Sequence, residues 1–275
     1  MSNKFKSTCR IAVLGSMLAF VACASGPSET PYPSFIQSDT LPLSYLAGLP
    51  GVSAIVLAGN PDTRRASIQL SLPPGWNFST GAEPGKSVEM YVLAGDVHLG
   101  EFTLSPGSYA YLPPGTAGLQ MSTDDGASLL YFLDRENRSS VIRTPMLLSR
   151  EILTWQPVSD DPNDIGVSFK ELRFDPGSGA RTSLLRIESG ATRPWVTSSV
   201  SEEGFLLEGS YQHSECVEGE ELTDIYTPGG FYNRPPGAIN GSPLSGGVGT
   251  AVWLVRTRSF AETIVVGECV TSEPQ

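Results

Sequence analysis

The chain has 275 residues, with 18 Lys and Arg against 29 Asp and Glu, and only two His. Its formal charge of -11 disfavours nucleic acid and anionic lipid surfaces as partners, because these polyanions bind basic proteins. Two His and four Cys leave little material for a metal site built from nitrogen and sulfur ligands. The 29 Gly and 22 Pro favour many short strands joined by turns over long helices.

Residues 1–22 are typical of an export signal. Three basic residues precede a short apolar run, residues 11–22, that is too short to span a bilayer comfortably. Residues 20–23 resemble the lipobox of bacterial lipoproteins, in which Cys23 would be lipidated, although the site also fits ordinary signal cleavage. The lipoprotein interpretation, with Ala24 after the Cys, implies the periplasmic face of the outer membrane. Ordinary cleavage implies a soluble periplasmic or secreted protein.

Residues 23–42 begin with a Pro- and Ser-rich stretch and are predicted to form a flexible tether. Removal of the signal takes three positive charges and Cys9, which leaves a mature formal charge of -14. With Cys23 lipidated, Cys216 and Cys269 are the remaining thiols. An oxidising compartment and an even pair favour a disulfide, and two buried unpaired thiols are the alternative.

The rest of the chain contains two similar halves. Residues 89–97 resemble residues 203–211, and residues 105–118 resemble residues 227–241. Repetition at this distance indicates two copies of one domain rather than a short solenoid. Both halves consist of short β-prone runs broken by Gly/Pro turns, which is typical of a sandwich or jelly roll.

The predicted architecture is therefore all-β, with two jelly-roll domains in tandem. We expect the first domain over residues 43–145, the second over residues 146–265 and a C-terminal tail over residues 266–275. Between the halves, residues 145–155 are the best helical candidate, and the polar residues 159–164 are expected to help join the domains.

The two blocks of each half resemble the two motifs of the cupin superfamily, whose domain is a double-stranded β-helix jelly roll. This resemblance implies four ligand positions for one divalent metal ion, which in the family are three His and one Glu inside the barrel. The motif spacing is kept twice, from Gly75 to Gly118 and from Gly190 to Asn240. The matching ligand positions are Gly81, Glu83, Val88 and Gly118 in the first half and Val196, Ser198, Glu202 and Asn240 in the second.

These residues do not suit a transition metal, since none of the matching His positions holds an imidazole. A register error of one residue would turn Glu89 inward in place of Val88 but would supply no His. The two His, His98 and His213, are expected on exposed hairpins beyond the barrel centre. A metal site of His213 with Cys216 and Cys269 is the alternative, but a disulfide would consume both thiols. We therefore predict no metal and no other cofactor.

The second barrel is the candidate ligand site. Ser198, Glu202 and Asn240 are expected to converge where the metal ligands stand in the family, with Arg234 and Trp195 close by. These polar groups either bond one another or orient a small molecule in the barrel. No catalytic residue is predicted, because the sequence shows no phosphate-binding Gly loop and no nucleophile signature.

The favoured function is a metal-independent module that binds or senses a small molecule and meets the membrane only through its lipid anchor. One alternative is a metal-dependent cupin enzyme, an oxygenase or hydrolase of small carbonyl compounds with a non-His site. The other is a structural or interaction lipoprotein. Nucleic acid is not an expected partner, and the sequence leaves the oligomeric state open.

Overall fold

The computed structural model describes residues 32–33, 35–46, 48–60, 63, 65–158, 166–191 and 193–269. This part of the chain forms 23 strands and two short 3-10 helices, with no α-helix among the described residues. The all-β prediction is thus confirmed. The predicted signal, the lipidation residue Cys23 and the polar segment 159–164 lie outside the described residues. No described helix has the length and apolarity needed to cross a membrane.

The first jelly roll consists of a seven-stranded and a four-stranded antiparallel sheet. The seven-stranded sheet has, from edge to edge, β12 (Met146–Leu148), β9 (Tyr109–Leu112), β6 (Lys86–Ala94), β11 (Ala127–Arg135), β4 (Arg65–Leu72), β3 (Ser53–Asn60) and β2 (Leu43–Tyr45). The four-stranded sheet has β5 (Asn77–Thr80), β10 (Leu119–Ser122), β7 (Val97–Leu99) and β8 (Phe102–Leu104). Apolar side chains of both sheets form one continuous buried core.

The second jelly roll repeats this plan with a seven-stranded and a five-stranded antiparallel sheet. The seven-stranded sheet has β1 (Ile36–Gln37), β20 (Gly230–Arg234), β17 (Glu202–Glu208), β22 (Ala251–Thr257), β15 (Arg181–Ile187), β14 (Val167–Phe174) and β13 (Gln156–Pro157). The five-stranded sheet has β19 (Glu220–Tyr226), β18 (Tyr211–Val217), β21 (Ile239–Gly247), β16 (Arg193–Ser198) and β23 (Thr263–Val265).

Two motif glycines show why the spacing repeats. Gly95 and Gly209 follow equivalent strands, and their φ angles of 71° and 83° lie in the left-handed region. A Cβ at these positions would collide with the carbonyl oxygens of Gly126 and Thr250, respectively. Only glycine satisfies both requirements at these two turns, so the turn chemistry fixes the strand spacing in each half.

The two jelly rolls exchange their N-terminal arms. Strand β1 precedes the first domain but pairs with β20 of the second, with Ile36 opposite Phe231. Strand β12 precedes the second domain but pairs with β9 of the first, with Leu148 opposite Tyr109. Each arm thereby covers a sheet edge that would otherwise expose unpaired backbone groups.

The arm exchange corrects two predictions. The predicted flexible tether includes a paired strand, and Phe35 packs against Tyr226 with 5.5 Å between ring centroids. The predicted helix at residues 145–155 is instead the strand β12 followed by a 3-10 turn over Arg150–Ile152. Strand β12 belongs to the first domain's sheet. A short leucine-rich run favours a helix only weakly, and pairing with an open edge overrides that preference.

The two seven-stranded sheets pack face to face, and a buried charge network lies within their apolar interface. Val88 and Met90 of β6 join the core of the first barrel, so period-2 alternation turns Glu89 towards the second domain. The alternative register, with Glu89 inside the first barrel, is therefore wrong. The Glu89 carboxylate accepts hydrogen bonds from Tyr109, Thr182, Arg173 and Arg256 at 2.6–2.8 Å.

Glu203 is the repeat equivalent of Glu89 and has a matching set of partners. It accepts hydrogen bonds from Ser67 at 2.5 Å, from Arg258 at 2.8 Å and from Arg256. Burial raises the pKa of Glu89, but the guanidiniums of Arg173 and Arg256 outweigh burial and lower the pKa to about 2. The Glu89 carboxylate is thus held ionised, and both carboxylates are paired with arginines.

Candidate functional site

The first barrel leaves no room at the predicted metal-ligand positions. A Cβ on Gly81 would lie 3.1 Å from the Cα of Gly118, so the two strands nearly touch where two His would stand. Val88 belongs to the apolar core, and Glu83 is partly exposed in an ion pair with Lys86 at 2.8 Å. The matching positions of this half therefore lie in the apolar core or at the edge of the barrel, and do not form a metal site.

The second barrel holds a polar cluster at the equivalent place. Glu202 on β17 pairs in register with Arg234 on β20, so both side chains project from the same face of the sheet. Tyr232, two residues before Arg234, lies on that face too, and its ring occupies space that a Cβ on Gly204 would fill. From the facing sheet, β18 contributes His213 and Glu215, both buried.

The Arg234 guanidinium connects these groups. Its Nη1 donates to Glu202 at 3.1 Å, its Nε to Glu215 at 2.7 Å and its Nη2 contacts His213 Nε2 at 2.6 Å. Its Cζ lies 3.5 Å from the centroid of the Tyr232 ring, and the Tyr232 hydroxyl donates to Glu202 at 2.8 Å. A cation belonging to the chain itself thus lies among the acceptors of this barrel.

The Arg234 contact fixes the state of His213. His213 Nε2 lies 2.6 Å from the Arg234 donor and 3.3 Å from Glu215 Oε1. Because a guanidinium has only donors and is the nearer partner, we assign Nε2 as the acceptor and the proton to Nδ1. Burial, reinforced by the positive charge of Arg234, lowers the pKa of His213 to about 4. Burial raises the pKa of Glu215, but Arg234 outweighs it and lowers the pKa to about 2. At neutral pH the cluster holds neutral His, ionised Glu215 and cationic Arg234.

Replacing His213 with Gln is expected to reduce the pH dependence of unfolding between about pH 6.5 and about pH 4. In this window His213 is protonated in the unfolded chain but neutral in the folded protein, because its pKa in the folded protein is lowered to about 4. The unfolding free energy of the parent should therefore fall by up to about 1.4 kcal/mol per pH unit as pH drops. Gln keeps an acceptor for Arg234 but takes up no proton. Urea unfolding at several pH values measures both slopes, and identical slopes would contradict the assignment.

A cavity of about 70 Å³ remains beside the cluster. Its lining includes Arg193, Val196, Glu202, Tyr211, His213, Tyr232, Arg234, Asn240 and Trp253. Among the predicted site residues, Glu202, Asn240 and Arg234 are thus brought together. Ser198 is not part of the lining, and its hydroxyl accepts the Val200 N–H at 3.4 Å. Whether the cavity binds a ligand stays a prediction.

The placement of Trp195 near the cavity is wrong. Trp195 neighbours Val196 on β16, so the two side chains point to opposite faces of the sheet. Trp195 packs against Cys216 and Ile239, with Cys269 on the same cluster. Cys216 and Cys269 form a disulfide, with 5.4 Å between their Cα atoms. The sequence favours this bond because two thiols remain in a chain with an export signal. This bond consumes both thiols of the alternative metal site with His213.

The prediction of two exposed hairpin His is right for one and wrong for the other. His98 lies at the β7–β8 hairpin, where Nδ1 is 3.1 Å from the Thr103 hydroxyl and Nε2 is 3.5 Å from Asp124. His213 is only 7% exposed, inside the barrel. Alternation in Tyr211-x-His213-x-Glu215 was the signal that could have placed these three side chains on one buried face.

The donor set does not fit the divalent metal of the cupin resemblance. No set of three or more His, Cys, Asp or Glu suited to a metal ion occurs among the described residues. In the second barrel, Glu202 and Glu215 share a guanidinium, which would repel a divalent cation, and the single imidazole accepts from the same group. These residues therefore do not form a site for that metal ion.

Solved structures resemble this fold over most of its length. A protein of Pseudomonas aeruginosa provisionally named glyoxylate-induced is 15% identical with a TM-score of 0.66, covering 93% of this chain and 98% of its own. Protein Ylba of E. coli is 16% identical with a TM-score of 0.64, covering 81% and 89%. A variant of Bacillus subtilis oxalate decarboxylase is 12% identical with a TM-score of 0.62, covering 85% and 79%.

These likenesses show that the chain has the two-domain cupin fold that its motif spacing predicts. No protein-family model matches the sequence. No curated protein is significantly similar to it.

Proposed function

We propose that this two-domain cupin is an exported, lipid-anchored module whose second barrel binds a small polar molecule without a metal ion. One observation carries the proposal: Arg234 provides a cation at the centre of the barrel, beside a cavity whose lining combines polar groups with apolar side chains such as Val196 and Trp253. That cavity is lined by Arg193 and Asn240, and Arg193 has no ion pair among the described residues. An unpaired guanidinium and a carboxamide offer hydrogen bonds to a ligand that enters.

The cavity size limits the ligand. About 70 Å³ holds a few water molecules or a ligand of a few non-hydrogen atoms. Drug-sized molecules need cavities of about 300 Å³ or more. A carboxylate or amide of the size of acetate or urea is the class that this volume and lining support.

Binding is tested by thermal-shift titration of the purified mature protein with formate, acetate and urea. We expect at least one probe to raise the melting temperature of the parent and to do so less in Glu202→Gln and Asn240→Ala. Glu171→Gln is a matched control, because its carboxylate is partly exposed and pairs with Arg181 at 3.4 Å, outside the cavity. Shifts that survive both cavity variants would place binding elsewhere. The absence of any shift would sink the proposal for this ligand class.

Metal independence and anchoring are tested separately. Elemental analysis of tag-free protein should find iron, zinc, manganese, nickel and copper well below one atom per chain, and near-stoichiometric metal would overturn that part of the proposal. Cys23→Ser should release the protein from the membrane fraction of the producing bacterium. Unchanged fractionation would favour ordinary signal cleavage and a soluble exported protein.

A further inference from the structure

A second, larger cavity lies at the junction of the two jelly rolls, outside both barrels. Its volume is about 350 Å³, within the usual range of small-molecule sites. The first domain contributes Tyr111, Arg135 and Arg138 to its wall, and the second contributes Arg173 and Arg258. This cavity exists only because the two seven-stranded sheets pack against each other.

The charge of this cavity opposes that of the chain. Five arginines line it, namely Arg65, Arg135, Arg138, Arg173 and Arg258, against three carboxylates. The mature chain by contrast carries a formal charge of -14. A cluster of cations on an acidic protein produces a local positive field that attracts anions.

The three carboxylates of the lining are already satisfied. Asp134 accepts from Arg256 at 2.5 Å and from Arg258 at 2.7 Å. Glu136 pairs with Arg143 at 3.3 Å. Asp175 accepts from the Ser140 hydroxyl and from the backbone N–H groups of residues 141, 177 and 178. Their negative charge is therefore engaged within the protein.

Three of the five arginines, unlike the carboxylates, have no partner of opposite charge in the described ranges. Arg65, Arg135 and Arg138 are exposed and have no ion pair within the described part of the chain. Arg173 is 6% exposed and donates through Nη2 to Glu89, yet its buried Nε has no hydrogen-bond partner among the described residues. The exposed positive charges without an ion pair in the wall are therefore Arg65, Arg135 and Arg138, and the buried Arg173 adds its positive charge beside them.

We propose that this cavity, which we call the interdomain arginine cleft, binds a small multivalent oxyanion. Guanidinium groups bind carboxylates and phosphates through paired N–H donors, and several of them converge here from two domains. The ring of Tyr111, with the Arg173 guanidinium stacked 4.5 Å from its centroid, provides an apolar wall for the body of the ligand. The site is separate from the second barrel and does not depend on the function proposed there.

The test is isothermal titration calorimetry of the mature protein with citrate and with pyrophosphate, which distinguish a polycarboxylate from a phosphate source. We expect saturable binding of at least one of them at one site per chain. Arg135→Gln with Arg138→Gln should weaken binding at least tenfold, because two exposed charges of the wall are lost without disturbing the fold. Raising salt from about 50 to about 500 mM should weaken it as well.

Three further measurements test whether binding occurs in the cleft. Arg181→Gln is the matched control, since it removes an exposed arginine that does not line the cleft. Trimethyl citrate, which is neutral, should not bind. Glu202→Gln should leave cleft binding unchanged, so failure of the barrel and failure of the cleft give different results. No saturable binding of either probe, or equal weakening by Arg181→Gln, would overturn the proposal.

Discussion

Replacing Arg256 with Met is expected to lower the free energy of unfolding by about 3–5 kcal/mol, the usual cost of removing one partner from a buried charge network. Arg256 is 2% exposed and donates to Glu89, Asp134 and Glu203. Its removal leaves three carboxylates short of a donor at the interface of the two sheets. Each of them retains another arginine, which keeps the cost within this range.

Arg256 has this effect because the repeat is asymmetric at its position. The strand registers make Phe132 the equivalent of Arg256, and the two side chains meet, with Arg256 Cζ 4.0 Å from the centroid of the Phe132 ring. Asp134 and Arg258 are likewise equivalent and form an ion pair at 2.7 Å. At these two positions the first domain thus presents an aromatic ring and an acid where the second presents arginines, which favours this face-to-face arrangement over two copies of either half.

The Arg256→Met prediction is checked by chemical denaturation followed at two probes, since a two-domain protein need not unfold in one step. Arg181→Met is the control, because Arg181 is about half exposed and should cost less than about 1 kcal/mol. Adding Glu203→Gln to Arg256→Met should recover part of the loss by removing one uncompensated charge. A loss below about 1 kcal/mol for Arg256→Met would show that the network does not stabilise the interface.

The fold is predictable from the sequence because the repeated feature is the spacing of the turn residues, which does not depend on side-chain contacts. Gly95 and Gly209 need left-handed backbone and close approach to a neighbouring carbonyl, and both requirements are visible as fixed spacing in the sequence. The same spacing predicts the ligand positions, and Gly81 and Gly118, two of these positions, lie side by side at the ends of β5 and β10. Spacing defines where strands begin and end, but not what their side chains contact.

Long-range contacts were therefore the part that the sequence could not provide. The exchange of β1 and β12 depends on which sheet edge is open, and nothing within those short arms encodes it. The motif spacing predicts a hairpin at His213, because the family's metal strand ends before this position, whereas β18 continues through it. The Arg234 cluster joins three strands and an N-terminal tyrosine, since Tyr32 donates to Glu215 at 2.9 Å.

Replacing Arg234 with Met is expected to destabilise the second domain by about 3–5 kcal/mol. Glu215 is 2% exposed and would keep Tyr32 as a donor and His213 Nε2 at 3.3 Å, but no full positive charge, while Glu202 would keep Tyr232. Arg234→Lys should recover only part of the loss, because one ammonium cannot reach Glu202, Glu215 and His213 in the fork geometry of a guanidinium. Chemical denaturation monitored by tryptophan fluorescence, to which Trp253 in this domain's core contributes, measures both variants.

Two companion measurements separate a charge effect from lost packing. Arg234→Met with Glu215→Gln should be more stable than Arg234→Met alone, because the uncompensated buried carboxylate is gone. In Arg234→Met, the pKa of His213 should rise above about 4, since burial still lowers it but the neighbouring positive charge no longer does. Nuclear magnetic resonance of the His213 ring reports that pKa directly. Two results together would show that Arg234 acts in this barrel only by filling space. The double variant Arg234→Met with Glu215→Gln would be no more stable than Arg234→Met, and the pKa of His213 would not change.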